Sequence, residues 1–150
     1  MQGYLDDPDK TAEVVIEHDG LRWYKTGDKG KLDKDGFLSI LDRYSRFAKL
    51  GGEMVSLSSV EQQIAALLGD ADVEVLAVAL PEPSKGEQIV LMIDDPDYAL
   101  GLRDRVLQSD MTALMQPKHY FAVEAIPKLG TGKVDLTNAR QLAAEALEEL

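Results

Sequence analysis

The hydrophobic pattern of this 150-residue chain changes near residue 45. Before that point, short apolar runs alternate with turn residues, and residues 33–36 join two such runs in the pattern of a β-hairpin. After it, apolar residues at helical spacing alternate with continuous apolar runs of strand length. A few short strands are only marginally stable alone. The pattern therefore predicts that the first third belongs to a larger β-structure and that a mixed unit of helices and strands follows.

The second unit is predicted to be a small sheet with covering helices. A helix is expected to begin at a Ser58 cap, with Glu61 reaching back to it in a capping box. Three apolar runs have the length of strands, and two later segments have helical rhythm. The predicted strands are residues 73–80, 88–93 and 120–126, and the later helices are residues 100–114 and 137 onward. Together these elements predict an α+β fold with a three-stranded sheet.

The composition excludes several classes of function. With 16 basic and 27 acidic residues, the chain has a net charge of −11, which disfavours nonspecific binding to nucleic acid. The absence of cysteine excludes disulfides, thiolate metal sites and cysteine nucleophiles, and His18 and His119 are too far apart for a local zinc motif. No apolar run reaches the roughly 18 residues of a transmembrane helix. We therefore expect a cytoplasmic chain with no transmembrane segment and no metal site of its own.

A lysine ends a glycine-rich segment near the C-terminus, PKLGTGK at residues 127–133. Lys133 lies between an apolar run and the terminal helix, and an ammonium group on such a loop suits an anionic reacting centre. The segment is not a phosphate-binding P-loop, because Pro127 takes the place of the first glycine and Val134 that of the Ser or Thr. We therefore predict that the loop delivers Lys133 to the reacting groups, and that Lys133 is not part of a phosphate-binding loop.

Several motifs in one order resemble the C-terminal end of the adenylate-forming (AMP-binding) enzyme superfamily. They are GYLDDPDKT at 3–11, WYKTGD at 23–28, DGF at 35–37, DR at 42–43, KLGGE at 49–53, the loop at 81–87 and PKLGTGK at 127–133. Each motif is weak alone, but the ordered set is highly specific. Within the superfamily, residues 46–57 and 84–87 resemble the synthetase part of the bifunctional 2-acylglycerophosphoethanolamine acyltransferase/acyl-[acyl-carrier-protein] synthetase.

The resemblance implies a division into domains and a reaction that uses ATP. Residues 1–44 would be a strip of the large AMP-binding domain, and residues 45–150 a small domain that swings between two half-reactions. Ser45 stands where the family keeps a hinge Asp or Lys. The family activates fatty acids with ATP through acyl-AMP, loads them on acyl carrier protein and reacylates lysophospholipid. Mg²⁺ is expected in the full enzyme, which would act in the cytoplasm or on the cytoplasmic face of the inner membrane. In the family the acyltransferase part lies upstream, and the sequence leaves open whether the parent of this chain has one.

The resemblance also assigns roles in the first half-reaction to three residues. Asp28 would accept hydrogen bonds from the ribose hydroxyls of ATP, because a carboxylate offers several acceptor sites. Arg43 would lie near the ribose and the phosphates. Lys133 would bridge the substrate carboxylate and the α-phosphate as the acyl-adenylate forms.

A second loop is implied in the thioester-forming half-reaction. After rotation of the small domain, Lys49, Gly51 and Gly52 would face the active site, and the glycines would let a pantetheine arm pass close to the backbone. Arg43, Arg46 and Lys49 also form a local basic cluster in an acidic chain, which suits contact with phosphate or with a carrier protein.

Three functions remain open from the sequence. The first is the C-terminal domain of an ATP-dependent fatty acid:acyl-carrier-protein ligase, inactive as an isolated segment. The second is the same domain of an acyl-CoA synthetase, which would use coenzyme A as the thiol. The third is a module that docks acyl carrier protein or a lipid enzyme without catalysing a reaction.

Overall fold

Two β-hairpins dominate residues 1–45 in the computed structural model of the chain, which describes residues 1–69, 72–84 and 86–150. Contacts between residues divide the chain into two units, Met1–Ser45 and Arg46–Leu150. The first unit contains helix α1 (Pro8–Val14), the hairpin of β1 (Val15–His18) with β2 (Leu21–Tyr24), and the hairpin of β3 (Asp28–Leu32) with β4 (Leu38–Arg43). Every side chain of this unit is exposed or half-buried.

The hairpin predicted around residues 33–36 is confirmed. β3 pairs antiparallel with β4, and the Asp33 carboxylate closes the turn by accepting hydrogen bonds from the backbone N–H groups of Asp35 and Phe37, both at 2.9 Å. This is the local side-chain-to-backbone bonding that makes Asp a common turn residue.

The second unit is an α+β structure. Its elements are β5 (Phe47–Leu50), β6 (Glu53–Ser56), α2 (Leu57–Leu68), β7 (Val75–Glu82), β8 (Gly86–Ile93), α3 (Pro96–Ala99), α4 (Leu102–Leu107), β9 (His119–Ala122) and α5 (Leu136–Glu148). The strands form one sheet in the order β6-β5-β8-β7, and β9 pairs parallel with β8. A short 3₁₀ helix, Tyr44–Arg46, precedes β5.

The predicted α+β class is confirmed, but the sheet has five strands rather than three. The two additional strands, β5 and β6, are only four residues long and carry exposed polar residues, so they lack the continuous apolar run that marked the others. The predicted helix at residues 100–114 is also shorter. α4 ends at Leu107, and the Ser109 hydroxyl donates a 2.7 Å hydrogen bond to the Val106 carbonyl just beyond it.

The predicted capping box at the start of α2 is wrong. The helix begins at Leu57, and the cap is Ser56, whose hydroxyl oxygen accepts a 3.2 Å hydrogen bond from the Ser59 N–H. Glu61 does not reach back to the cap, because its carboxylate is held by Arg46 and by the Ala77 backbone. A partner outside the helix therefore replaces the local one.

Apolar side chains are buried on both faces of the sheet. Along β8, Ile89, Leu91 and Ile93 pack with α2 and α4 in one cluster. The alternate residues, Val90 and Met92, pack with α5 in the other. Burial on both faces explains why the β8 sequence is a continuous apolar run instead of an alternating one. Within the described residues, no helix has both the length and the hydropathy needed to cross a membrane.

Candidate functional site

Lys133 lies at the end of a loop that backbone hydrogen bonds close. Lys128 and Val134 form an antiparallel bridge, and inside it the Leu129 N–H donates to the Lys133 carbonyl at 2.7 Å. The Gly132 N–H donates to the Leu129 carbonyl at 2.8 Å, and Gly132 has a φ of +80°, which favours glycine. The glycine therefore turns the chain, and the loop geometry does not depend on the Lys133 side chain.

The loop is anchored to the element that follows it. The Asp135 N–H donates a 2.8 Å hydrogen bond to the Pro127 carbonyl, which joins the two ends of the segment. The Asp135 carboxylate then accepts from the N–H groups of Thr137 and Asn138 and caps α5. Lys133 itself is exposed, and among residues 1–69, 72–84 and 86–150 no hydrogen bond or ion pair involves its ammonium group.

Asp28 and Arg43 face each other across the second hairpin. They are register partners at the open end of β3 and β4, and Arg43 Nε donates a 3.0 Å hydrogen bond to Asp28 Oδ1. The Asp28 side chain is 27% exposed, whereas the Arg43 side chain is 68% exposed. The structure thus brings together the two residues that the resemblance assigns to the nucleotide, and Arg43 orients the carboxylate.

Lys49, Gly51 and Gly52 belong to the hairpin of β5 and β6. The glycines form its two-residue turn with φ values of +58° and +95°, both in the region that favours glycine. The Lys49 side chain is exposed, and its backbone N–H donates to the Glu87 carboxylate of β8. Glu87 therefore adds a side-chain tie between β8 and the neighbouring strand β5. Lys85, in the predicted loop at residues 81–87, lies outside the described residues.

Ser45 is exposed and stands in the 3₁₀ helix at the boundary of the two units. The next residue, Arg46, does not belong to an exposed basic cluster as the sequence suggested. Its guanidinium group lies 2.5 Å from the Glu61 carboxylate and donates to the Ala77 carbonyl at 3.1 Å. Sequence reasoning assigned Glu61 to a cap and Arg46 to a ligand surface, and it missed the contact between them because they lie in different elements.

A separate cavity of about 320 Å³ lies in the second unit beside Tyr120, Arg103 and Gln88. None of the site residues predicted from the sequence lines it. Burial raises the pKa of the Tyr120 hydroxyl to about 12. Burial lowers the pKa of the neighbouring His119 imidazole, and the Lys118 and Arg103 cations lower it further. Both pKa shifts favour the neutral form of the group concerned.

Two of the curated proteins that match this chain are similar to nearly all of it. The chain is 31% identical over 147 residues to the phenyloxazoline synthase MbtB of Mycobacterium tuberculosis (strain CDC 1551 / Oshkosh), and the match covers 98% of this chain and 10% of that protein. It is 32% identical over 146 residues to the peroxisomal trans-cinnamate:CoA ligase of Petunia hybrida, covering 95% of this chain and 25% of the ligase. The chain thus spans a quarter or less of the length of these relatives. No protein-family model matches it.

The fold also matches a solved ligand-bound structure. The ATP-bound chimera RpMatB-BxBclM B1 has a TM-score of 0.73 and 25% identity, and the match covers 94% of this chain and 28% of the chimera. The chain is related to the C-terminal part of adenylate-forming acyl- and aryl-CoA ligases. The α+β fold expected from the resemblance agrees with this relation. An ATP complex and an anthranoyl-AMP complex are both among the matching structures.

Proposed function

We propose that this chain is the C-terminal part of a ligase that activates a fatty acid as acyl-AMP and loads it on acyl carrier protein. The observation that carries the proposal is the Lys133 loop, whose backbone hydrogen bonds leave an exposed lysine for an anion. The relation to CoA ligases supports the reaction class. The resemblance of residues 46–57 adds the fatty acid and the carrier protein. The parent would act in the cytoplasm, and lysophospholipid would be the final acyl acceptor.

In the first half-reaction, an oxygen of the fatty-acid carboxylate attacks the α-phosphorus of ATP. A new P–O bond forms, the bond to the oxygen that bridges to the β-phosphate breaks, and pyrophosphate leaves. The approaching groups are both anionic, so negative charge concentrates between them. Lys133 would lie between the carboxylate and the α-phosphate and offset this charge in the transition state. A compact ammonium on an exposed loop suits that task.

Asp28 and Arg43 would bind the nucleotide. A carboxylate has about four acceptor sites, so Asp28 can hold Arg43 and still accept hydrogen bonds from both ribose hydroxyls. Arg43 uses its Nε for Asp28, so the terminal nitrogens of its guanidinium group would serve the ribose or a phosphate. The pair fits a nucleotide because the acceptor is already oriented before ATP arrives.

Residues 1–44 would belong to a large ATP-binding domain, and residues 45–150 to a mobile domain that turns about Ser45. The exposed apolar surface of the first unit supports this division. Trp23, Phe37 and Leu38 are 54%, 73% and 63% exposed. Apolar surface of this extent is commonly covered by another part of the protein. A strip packed against a larger domain would bury it.

In the second half-reaction, the pantetheine thiol loses its proton and its sulfur attacks the acyl carbonyl carbon. A C–S bond forms, the C–O bond to AMP breaks, and AMP leaves. The turn at Gly51 and Gly52 would border the path of the pantetheine arm, because no atom of the described residues lies within 4 Å of a Cβ position at either glycine. The exposed Lys49 beside the turn would attract the phosphate of the arm.

Mg²⁺ would accompany ATP in the full enzyme and neutralise part of the phosphate charge. Within the described part of the chain, no group of three or more His, Cys, Asp or Glu residues could hold a metal ion. The ion would arrive with ATP, whose phosphates supply the oxygen ligands that it prefers.

ATP–pyrophosphate exchange by the full parent protein tests the first half-reaction. We expect exchange that depends on a fatty acid, with the preferred chain length found by comparing acids. No exchange with any acid would contradict the proposal. Titration of acyl carrier protein against this chain would then test a docking role that involves no catalysis.

Coenzyme A is the second candidate acceptor, and the relation to the trans-cinnamate:CoA ligase favours it. Both acceptors present the same pantetheine thiol, so the residues proposed above would serve either one. Comparison of kcat/KM for coenzyme A and for acyl carrier protein separates them. A higher value for coenzyme A would replace the carrier-protein proposal and leave the adenylation step unchanged.

A further inference from the structure

Arg46 is the first residue of the second unit, and its side chain is tied to that unit. Nη2 lies 2.5 Å from Oε1 of Glu61 in α2, and Nη1 donates a 3.1 Å hydrogen bond to the Ala77 carbonyl in β7. The Arg46 and Glu61 side chains are only 12% and 19% exposed. The contact is therefore a shielded ion pair, which is screened less by water and salt than a surface pair.

Glu61 closes the arrangement. Its Oε1 also accepts a 2.7 Å hydrogen bond from the Ala77 N–H. One residue of β7 thus donates to Glu61 and accepts from Arg46, so the 3₁₀ helix, α2 and β7 meet at one point. We call these three residues the clamp. Its two anchoring elements pack together in the hydrophobic core, where Val60 and Ile64 of α2 are fully buried with Ala77.

The residue two positions earlier is tied to the first unit instead. The Tyr44 N–H donates a 2.8 Å hydrogen bond to the Gly27 carbonyl, next to Asp28. Ser45 therefore stands between a backbone tie to the first unit and a side-chain tie to the second. If both ties persist, any reorientation of the units must use the backbone torsions next to Ser45.

We infer that Arg46 is a positioning residue, and that the clamp confines the pivot between the units to the torsions around Ser45. The inference rests on the proposed function, in which the small domain turns between two half-reactions. A pivot of few torsions limits the orientations that the unit samples, which lowers the entropic cost of reaching a productive one. Without the clamp, the pivot extends past residue 46 and more unproductive orientations become accessible.

Three substitutions in the full parent protein form a graded series. Arg46→Gln removes the charge and most of the donor fork. Arg46→Lys keeps the charge, but an ammonium cannot reproduce the planar fork that contacts Glu61 and Ala77 together. Lys118→Gln is the matched control, because it removes a different ion pair of the same unit, 3.7 Å from Glu82.

We expect Arg46→Gln to slow both half-reactions by roughly 10- to 100-fold, since small misplacements of reacting groups have effects of this size. Arg46→Lys should have a smaller effect, and Lys118→Gln should match the wild type. The KM for ATP should not change, because the Arg46 guanidinium group is shielded and held by Glu61 and the Ala77 carbonyl. Hydrogen exchange should become faster at the backbone amides of residues 45–47 and stay unchanged elsewhere in the second unit.

Wild-type rates for Arg46→Gln in both half-reactions would overturn the inference. Faster amide hydrogen exchange throughout the second unit would also overturn it, because that result would indicate a purely structural role. If Arg46→Gln does not fold, Glu61→Gln supports the same test, because it removes the charge that pairs with Arg46 and keeps an oxygen for the Ala77 N–H. It should slow both half-reactions less than Arg46→Gln would, and wild-type rates would again overturn the inference. If the wild-type protein catalyses neither half-reaction, the proposed function fails separately. The role of the clamp is then tested by amide hydrogen exchange alone. Faster exchange confined to residues 45–47 would support it, and any other pattern would overturn it.

Discussion

Replacing Lys133 with alanine should remove most adenylation activity and leave the fold intact. The hydrogen bonds that close the loop, at 2.7 and 2.8 Å, join backbone groups and do not involve the lysine side chain. The side chain is exposed, so the free energy of unfolding should change by less than about 0.5 kcal/mol. Loss of one group that stabilises transition-state charge typically lowers kcat by about 10²- to 10³-fold. We expect a loss of that size in ATP–pyrophosphate exchange.

Lys128 provides a matched control at the other end of the same loop. Its ammonium lies 2.7 Å from Glu74 Oε1, and the two side chains are 46% and 48% exposed. Exposed pairs of this kind contribute about 0.2–1 kcal/mol to stability. Lys128→Ala should therefore lower stability slightly and leave the exchange rate near that of the wild type. Lys133→Ala should thus lower activity and leave stability nearly unchanged, whereas Lys128→Ala should lower stability slightly and leave activity nearly unchanged.

The assay is fatty-acid-dependent ATP–pyrophosphate exchange by the full parent protein, with urea unfolding of each variant measured in parallel. A second measurement supplies preformed acyl-AMP and the thiol acceptor, because thioester formation should not need Lys133. Equal exchange by the Lys133→Ala variant and the wild type would refute the assignment. Equal losses of exchange in both lysine variants would show that the loop as a whole matters and not the Lys133 charge.

Three further substitutions test the rest of the site and the electrostatics of the fold. Asp28→Asn should raise the KM for ATP in steady-state kinetics by about tenfold, which corresponds to a loss of about 1.4 kcal/mol of binding free energy. An unchanged KM would show that Asp28 does not bind the nucleotide. Gly132→Ala should destabilise the chain by about 1–2 kcal/mol in urea unfolding because its φ is +80°, whereas Gly130→Ala, with no such φ, should be near neutral. Tyr120→Phe should reduce the loss of stability that the wild type shows between pH 10 and about 12. The Tyr120 hydroxyl ionises near pH 10 in the unfolded chain and near pH 12 in the folded chain. Between these values the unfolded chain loses its proton and the folded chain keeps it, so the free energy of unfolding falls as the pH rises. Identical pH profiles of urea unfolding for the two proteins would contradict that assignment.

The elements that the sequence predicted well are those whose signal is local. The turn at residues 33–36 forms through the Asp33 side chain and its near neighbours, and the strand at 88–93 is marked by its continuous apolar run. The hairpin of β5 and β6 was missed because strands of four residues leave little periodic pattern. Its glycine pair was noticed as a loop motif, and the same pair in a two-residue hairpin turn could have indicated the strands.

The loop that carries Lys133, the hairpin that pairs Asp28 with Arg43, and the apolar runs of the central strands follow from local chemistry. These features depend on residues close in the chain or on burial that shows as composition. The contact between Arg46 and Glu61, in contrast, depends on how distant elements pack. Arg46 contacts residues 15 and 31 positions away, in a helix and a strand that the hydrophobic core brings together. Propensity and spacing cannot report such a contact, because it exists only after the core has packed α2 against β7.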